Sequence, residues 1–126
     1  TQPLSPHLSA KIDGIEIELN NFQLPKTNNN LIVEGAGGLM VPLNGKELIL
    51  DLIKHLNIEV ILISQHYLGS INHTLLTINT LNQHNIVIKG IIFNGEENFE
   101  SQSYILNYTG VKHLGNIPTL KNINKL

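Results

Sequence analysis

From residue 46 onward, apolar runs and amphipathic stripes take turns along the chain, and that alternation limits the fold more than any other property. Residues 46–57 carry Leu48, Ile49, Leu52, Ile53 and Leu56, the i, i+3, i+4, i+7 stripe of a helix with one apolar side. Residues 59–64 then form a nearly continuous apolar run rich in β-branched side chains, as a strand covered on both faces requires. Gly69 and Ser70 open a second long helix reaching about residue 84, with Ile71, Leu75, Ile78 and Leu81 on one side. Residues 86–93 read as the next strand, closed by Asn94 and Gly95. A weaker helix over 97–109 holds Tyr104, Ile105 and Tyr108, and a short last strand over 111–117 precedes Pro118. Such an order predicts an α/β fold: a parallel, doubly wound sheet with right-handed crossovers and helices on both faces.

Upstream, Leu31, Ile32 and Val33 follow a polar Asn run and predict a buried strand that stops at a lone carboxylate, Glu34. A glycine-rich turn follows. Ligands of open parallel sheets collect outside the carboxyl ends of the strands. A glutamate there, beside glycines that admit a phosphate, is placed to hold a hydrated Mg²⁺. A strand-end glutamate and a turn with no ligand fit these residues equally well. Nearer the start, Ser5 and Pro6 look like an N-cap and first helical residue, predicting a short helix over 6–11 that ends at Asp13 and Gly14. Ile15, Ile17 and Leu19 alternate with Glu16, Glu18 and Asn20, which is strand period, although a short helix running to Phe22 also fits.

Composition narrows the function. The 126 residues suit one small domain over 1–126, and a net charge of −2 gives no footprint for nucleic acid or acidic membranes. The absence of cysteine removes thiol chemistry and fits a cytoplasmic location. No apolar run is long enough for a membrane helix, and the first residues are no signal peptide. Because the chain starts at Thr1 rather than Met, it is expected to be the remainder of a longer protein. The six histidines show no zinc spacing, and no G-x-S-x-G supports a serine hydrolase.

Two strand ends are more pointed. Gly69 and Ser70 at a helix N-terminus present backbone N–H groups and the positive dipole end to a carboxylate or phosphate, or simply cap the helix. Asn94 carries an amide that donates and accepts at once, so it can read a purine edge, or it forms an ordinary turn with Gly95.

Taken jointly, SPHLSA at 5–10, VEGAGGLMVPL at 33–43, YLGSINHTLLT at 67–77, GIIFNG at 90–95 and LGNIP at 114–118 resemble the C-terminal part of dethiobiotin synthetases. That resemblance implies a P-loop NTPase-type (Rossmann-like) sheet and a homodimer. It also implies ATP-dependent closure of a ureido ring from 7,8-diaminononanoate and CO₂ in biotin biosynthesis, through a carbamate and a carbamic–phosphoric anhydride. By the same resemblance Glu34 would be a Mg²⁺ ligand. Gly37 and Gly38 would lie beside the diamine and its carbamate, with Gly37 also counted among the nucleotide contacts. Gly69, Ser70, Ile71 and Asn72 would hold the substrate's tail carboxylate across the dimer interface. Asn94 and Gly95 would meet the adenine, Ile117 and Pro118 would border it, and Ser5 would flank the substrate.

One departure stands out. G-x-x-x-x-G-K-[ST] occurs nowhere in these residues, and Lys46, which follows Gly45, precedes Glu47 and sits after the wrong strand. No catalytic residue is therefore assigned to this chain. It is expected to be inactive alone, with the N-terminal P-loop segment as a possible partner. The alternatives are a non-catalytic remnant of the same fold, or another ATP-dependent amidase or ligase of the superfamily. A sheet without its first strand would also expose an unpaired edge, which predicts an oligomer or a covering segment.

Overall fold

A computed structural model describes residues 4–120 and divides the chain into two compact units, Thr1–Ile58 and Glu59–Leu126.

The first unit is built on helices α1 (Pro6–Asp13) and α2 (Ile49–Leu56). Ser5 is the N-cap of α1 and Pro6 its first residue, and the helix ends at Gly14 in the left-handed conformation. The α2 start is tied down by backbone: Ile49 and Leu50 donate to the carbonyls of Val41 and Leu39 at 3.0 Å each. The Asp51 carboxylate reaches back to the Leu48 N–H at 2.9 Å. Leu43, Ile49 and Leu52 form the core of this unit, with Ile17, Leu19, Val41, Ile53 and Leu56 packed around them.

The alternation at 15–19 is real in its facing but does not make a strand. Ile17 and Leu19 turn into the core while Glu16 and Glu18 do not, yet the backbone over 15–18 joins no strand among the described residues and continues into a 3₁₀ turn at Leu19–Asn21. Residues 31–33 differ from expectation in the same way. Leu31, Ile32 and Val33 are irregular and exposed, Ile32 by 90%, because no described strand lies alongside to take their hydrogen bonds.

Asn44 holds the turn between residue 43 and α2. Its Oδ1 accepts from the N–H groups of Lys46 and Glu47 at 2.8 and 2.9 Å, and its Nδ2 donates to the Ile17 carbonyl and to Glu47 Oε2, both at 2.7 Å. Asn44→Ala is expected to lower stability by about 1–3 kcal/mol, since it strands several part-buried partners at once. A urea midpoint that does not move would contradict this.

The second unit is a run of β1 (Val60–Gln65), α3 (Ser70–Gln83), β2 (Ile88–Asn94), α4 (Phe99–Thr109) and β3 (His113–Ile117). The three strands form one parallel sheet in the order β1-β2-β3. This is the predicted α/β class. Ile91 and Phe93 of β2 meet Ile78 of α3 and Ile105 of α4 in a core that Leu62, Ile71, Ile88, Leu106 and Val111 surround. Beneath it, Ser64 and Thr74 share a buried hydrogen bond of 2.9 Å that joins β1 to α3. Ile61 and Ile63, which alternate with Leu62 and Ser64, are half exposed. At Gly90 a side chain would collide with the Lys112 carbonyl at 2.6 Å and with Leu114, so only glycine lets β3 approach β2 here. No helix among the described residues is long and apolar enough to cross a membrane.

Candidate functional site at the strand ends

The first unit holds the carboxylate and the glycine turn. Glu34 is exposed. Gly37 has φ +83°, and a side chain on it would meet Val41 Cγ2 at 2.9 Å, so the turn needs glycine for both conformation and space. Gly35 lies against Ile49, the first residue of α2, where an added methyl would come within 3.3 Å. Gly38 is open on every side, with nothing within 4 Å of where a methyl would stand. Ser5 is half buried, and the neighbouring His7 N–H reaches the Pro42 carbonyl at 3.3 Å, which joins the α1 start to the segment after the turn. No group of three or more His, Asp or Glu among the described residues could hold a metal by itself. A single open carboxylate beside a glycine turn instead suits Mg²⁺, which keeps several waters and is commonly shared between one or two carboxylates and substrate phosphates. The concave surface lined by Glu16, Glu18, Asn44 and Glu47 belongs to the Asn44 network and contains none of these residues.

The second unit holds the helix start and the strand-end amide. Gly69 is the N-cap of α3, and Ser70 is buried. The Ser70 N–H is already used, donating to the Tyr67 carbonyl at 2.9 Å, and the His73 N–H takes the Gly69 carbonyl at 3.1 Å. The N–H groups left for a ligand are those of Ile71 and Asn72. Ile71 points its side chain into the core, so only its backbone can serve. In front of the helix the Tyr67 hydroxyl and His73 Nδ1 meet at 2.7 Å and hold the loop against the first turn.

Asn94 closes β2 and is exposed. It pairs with Ile117 of β3, and the Gly95 N–H donates to the Ile117 carbonyl at 2.8 Å, so these three residues lie together with Pro118 next in the chain. Phe93, beside Asn94 in β2, belongs to an aromatic cluster. Phe93 stacks on His66 at 5.4 Å between centroids and meets His113 at 5.6 Å. His66 Nε2 lies 3.0 Å from Nε2 of the buried Gln102, and His113 Nε2 lies 3.1 Å from Asn116 Oδ1. Gln65 is the neighbour to which sequence reasoning gave no role. It ends β1 in register with Asn94, and it belongs to the first polar pair after an apolar run, the same signal that singled out Asn94.

A parallel sheet whose carboxyl edge carries an amide and a helix N-terminus is of the α/β class that binds ligands outside its strand ends. A family model described as "AAA domain" matches residues 1–125, and the chain belongs to that family. It is 52% identical to the ATP-dependent dethiobiotin synthetase BioD of Cytophaga hutchinsonii, over 98% of this chain and 61% of that protein. It is 51% identical to the protein of that name from Christiangramia forsetii, over 91% of this chain and 55% of that protein. A third such protein, from Lawsonia intracellularis, is 45% identical over 98% of this chain and 61% of its own length. The chain thus resembles dethiobiotin synthetases along nearly all its length while spanning less than two thirds of theirs.

Proposed function

We propose that this chain is part of an ATP-dependent dethiobiotin synthase, the carbon–nitrogen cyclo-ligase that closes a ureido ring from 7,8-diaminononanoate and CO₂. The observation that carries the reading is the similarity over 98% of the chain to a protein named for that activity. In this reading the residues divide the labour. Glu34 holds Mg²⁺ at the phosphates, and the turn at Gly37 and Gly38 lets the diamine and its carbamate come close to backbone. The N–H groups of Ile71 and Asn72, with Gly69 and Ser70 shaping the loop, receive the substrate's tail carboxylate. Asn94 and Gly95 meet the adenine, and Ile117 and Pro118 border it. Ser5 flanks the substrate. Mg²⁺ supplies charge neutralisation at the phosphates when bound.

Little covalent chemistry is asked of such residues. Phosphoryl transfer depends on positioning and on neutralising charge, which backbone amides and one carboxylate-held cation can do. What the 126 residues do not contain is G-x-x-x-x-G-K-[ST], whose lysine neutralises the terminal phosphates. The working enzyme therefore needs that loop from another stretch of polypeptide, and it works as a homodimer in the cytoplasm, with no nucleic-acid or membrane partner.

The test is diaminononanoate-dependent ADP release in the presence of CO₂ and Mg²⁺. The chain is assayed alone and then with a separately expressed P-loop segment of an intact dethiobiotin synthetase. Activity is expected only on mixing. Full activity of the chain by itself would refute the division proposed, and a folded, dimeric chain inactive in both assays would refute the ligase reading.

A further inference from the structure

At the carboxyl ends of β1 and β2 two amide side chains stand in register: Gln65 pairs across the ladder with Asn94. Gly95, next in the chain, leaves bare backbone beside them. A methyl on its α-carbon would lie 3.8 Å from Gln65 Cγ, 3.9 Å from Gln65 Nε2 and 4.0 Å from Thr119 Oγ1. Gln65, Asn94 and Thr119 are exposed. Neither amide side chain has a hydrogen-bond partner among the described residues.

We propose that Gln65 is a second base-reading residue, and that with Asn94 it makes the site selective for a purine carrying an exocyclic amino group over one carrying an oxo group. The inference rests on the reading of Asn94 as a nucleotide contact. An amide places one acceptor beside one donor, the complement of N6–H and N7 of adenine. The adenine amino group has two hydrogens, one on the N7 side and one on the N1 side. An amide on each side can accept one of them while donating to the adjacent ring nitrogen.

Hypoxanthine puts an oxygen in place of that amino group and a hydrogen on N1. A lone amide on the N1 side can turn end for end and still make two bonds. An amide on the N7 side then faces two acceptors with only one donor to offer, and one of its atoms is left opposed. With Gln65 on the N7 side and Asn94 on the N1 side, the pair therefore discriminates where Asn94 alone does not, because the unmatched group is penalised rather than merely lost. The Thr119 hydroxyl can donate or accept, so it tolerates either base.

The experiment titrates the ¹⁵N-labelled chain with millimolar ATP and ITP and follows the side-chain amide resonances. These are assigned through Gln65→Ala and Asn94→Ala. ATP is expected to move both the Gln65 and Asn94 signals, and to bind roughly tenfold more tightly than ITP. In Gln65→Ala that preference should shrink to within about threefold. If ATP moves the Asn94 signal but leaves that of Gln65 in place, the inference falls and the nucleotide reading stands. The inference falls equally if Gln65→Ala keeps the full preference. If neither signal moves, both fall. Should a variant not fold, the two signals are assigned in the wild-type chain by triple-resonance correlation, and their movement with ATP decides the matter.

Discussion

Replacing Glu34 with glutamine is expected to reduce ADP release by at least about 100-fold when the chain is assayed with a phosphate-loop segment. Glu34 is the carboxylate of the glycine turn, and no set of three acidic or histidine side chains among the described residues could hold a cation in its place. The amide of glutamine keeps the size and one acceptor oxygen but removes the charge that holds a divalent cation. Loss of metal affinity has its own signature: the Mg²⁺ concentration for half-maximal rate should rise, and part of the lost rate should return at high Mg²⁺. Because Glu34 is exposed, the substitution should leave the urea midpoint where it was. A variant with unchanged rate and unchanged Mg²⁺ dependence would remove Glu34 from the site.

The second large effect concerns stability. Phe93→Ala should cost about 3–5 kcal/mol, a large fraction of the stability of an ordinary domain. Phe93 is 2% exposed, sits in the core with Ile78, Ile91 and Ile105, and contacts the rings of His66 and His113. Phe93→Leu keeps most of the volume and should cost much less, though it gives up the stacking. Ile63→Thr, on the half-exposed alternate positions of β1, should stay within about 0.5 kcal/mol. Three urea curves check the set. Equal midpoints for Phe93→Ala and Ile63→Thr would show that the core has been misplaced.

These contrasts also show which parts of the molecule could be read from the chain. The elements from β1 to β3 were legible because each has a local signature: an apolar run, or a stripe such as Ile71, Ile78 and Leu81. Glycines or polar residues mark their ends. Residues 15–19 and 31–33 have signatures of the same kind but are not strands. A strand needs a neighbour to bond with, and no local pattern says whether one is there. The apolar run of 59–64 suggested cover on both faces, whereas Ile61 and Ile63 are half exposed.

At the strand ends, Asn94, Gly95 and Ile117 could be grouped in advance, since parallel strands align their carboxyl ends by rule. Gln65 was readable by that rule, but the stronger local signal of the loop that follows it lies at Gly69 and Ser70. The aromatic cluster of His66, Phe93 and His113 was not readable at all. It joins three strand ends or loops through packing that no spacing in the chain records.

The order β1-β2-β3 means that each ladder joins strands that are also consecutive in the chain. Parallel pairing is ordinarily slow to form, because a crossover must close before any ladder bond rewards it. Among the described strands every closure spans a single helix. The sheet can therefore grow one crossover at a time as the polypeptide lengthens during synthesis. β1, α3 and β2 can be paired, and the Ser64–Thr74 bond made, before His113–Ile117 has left the ribosome.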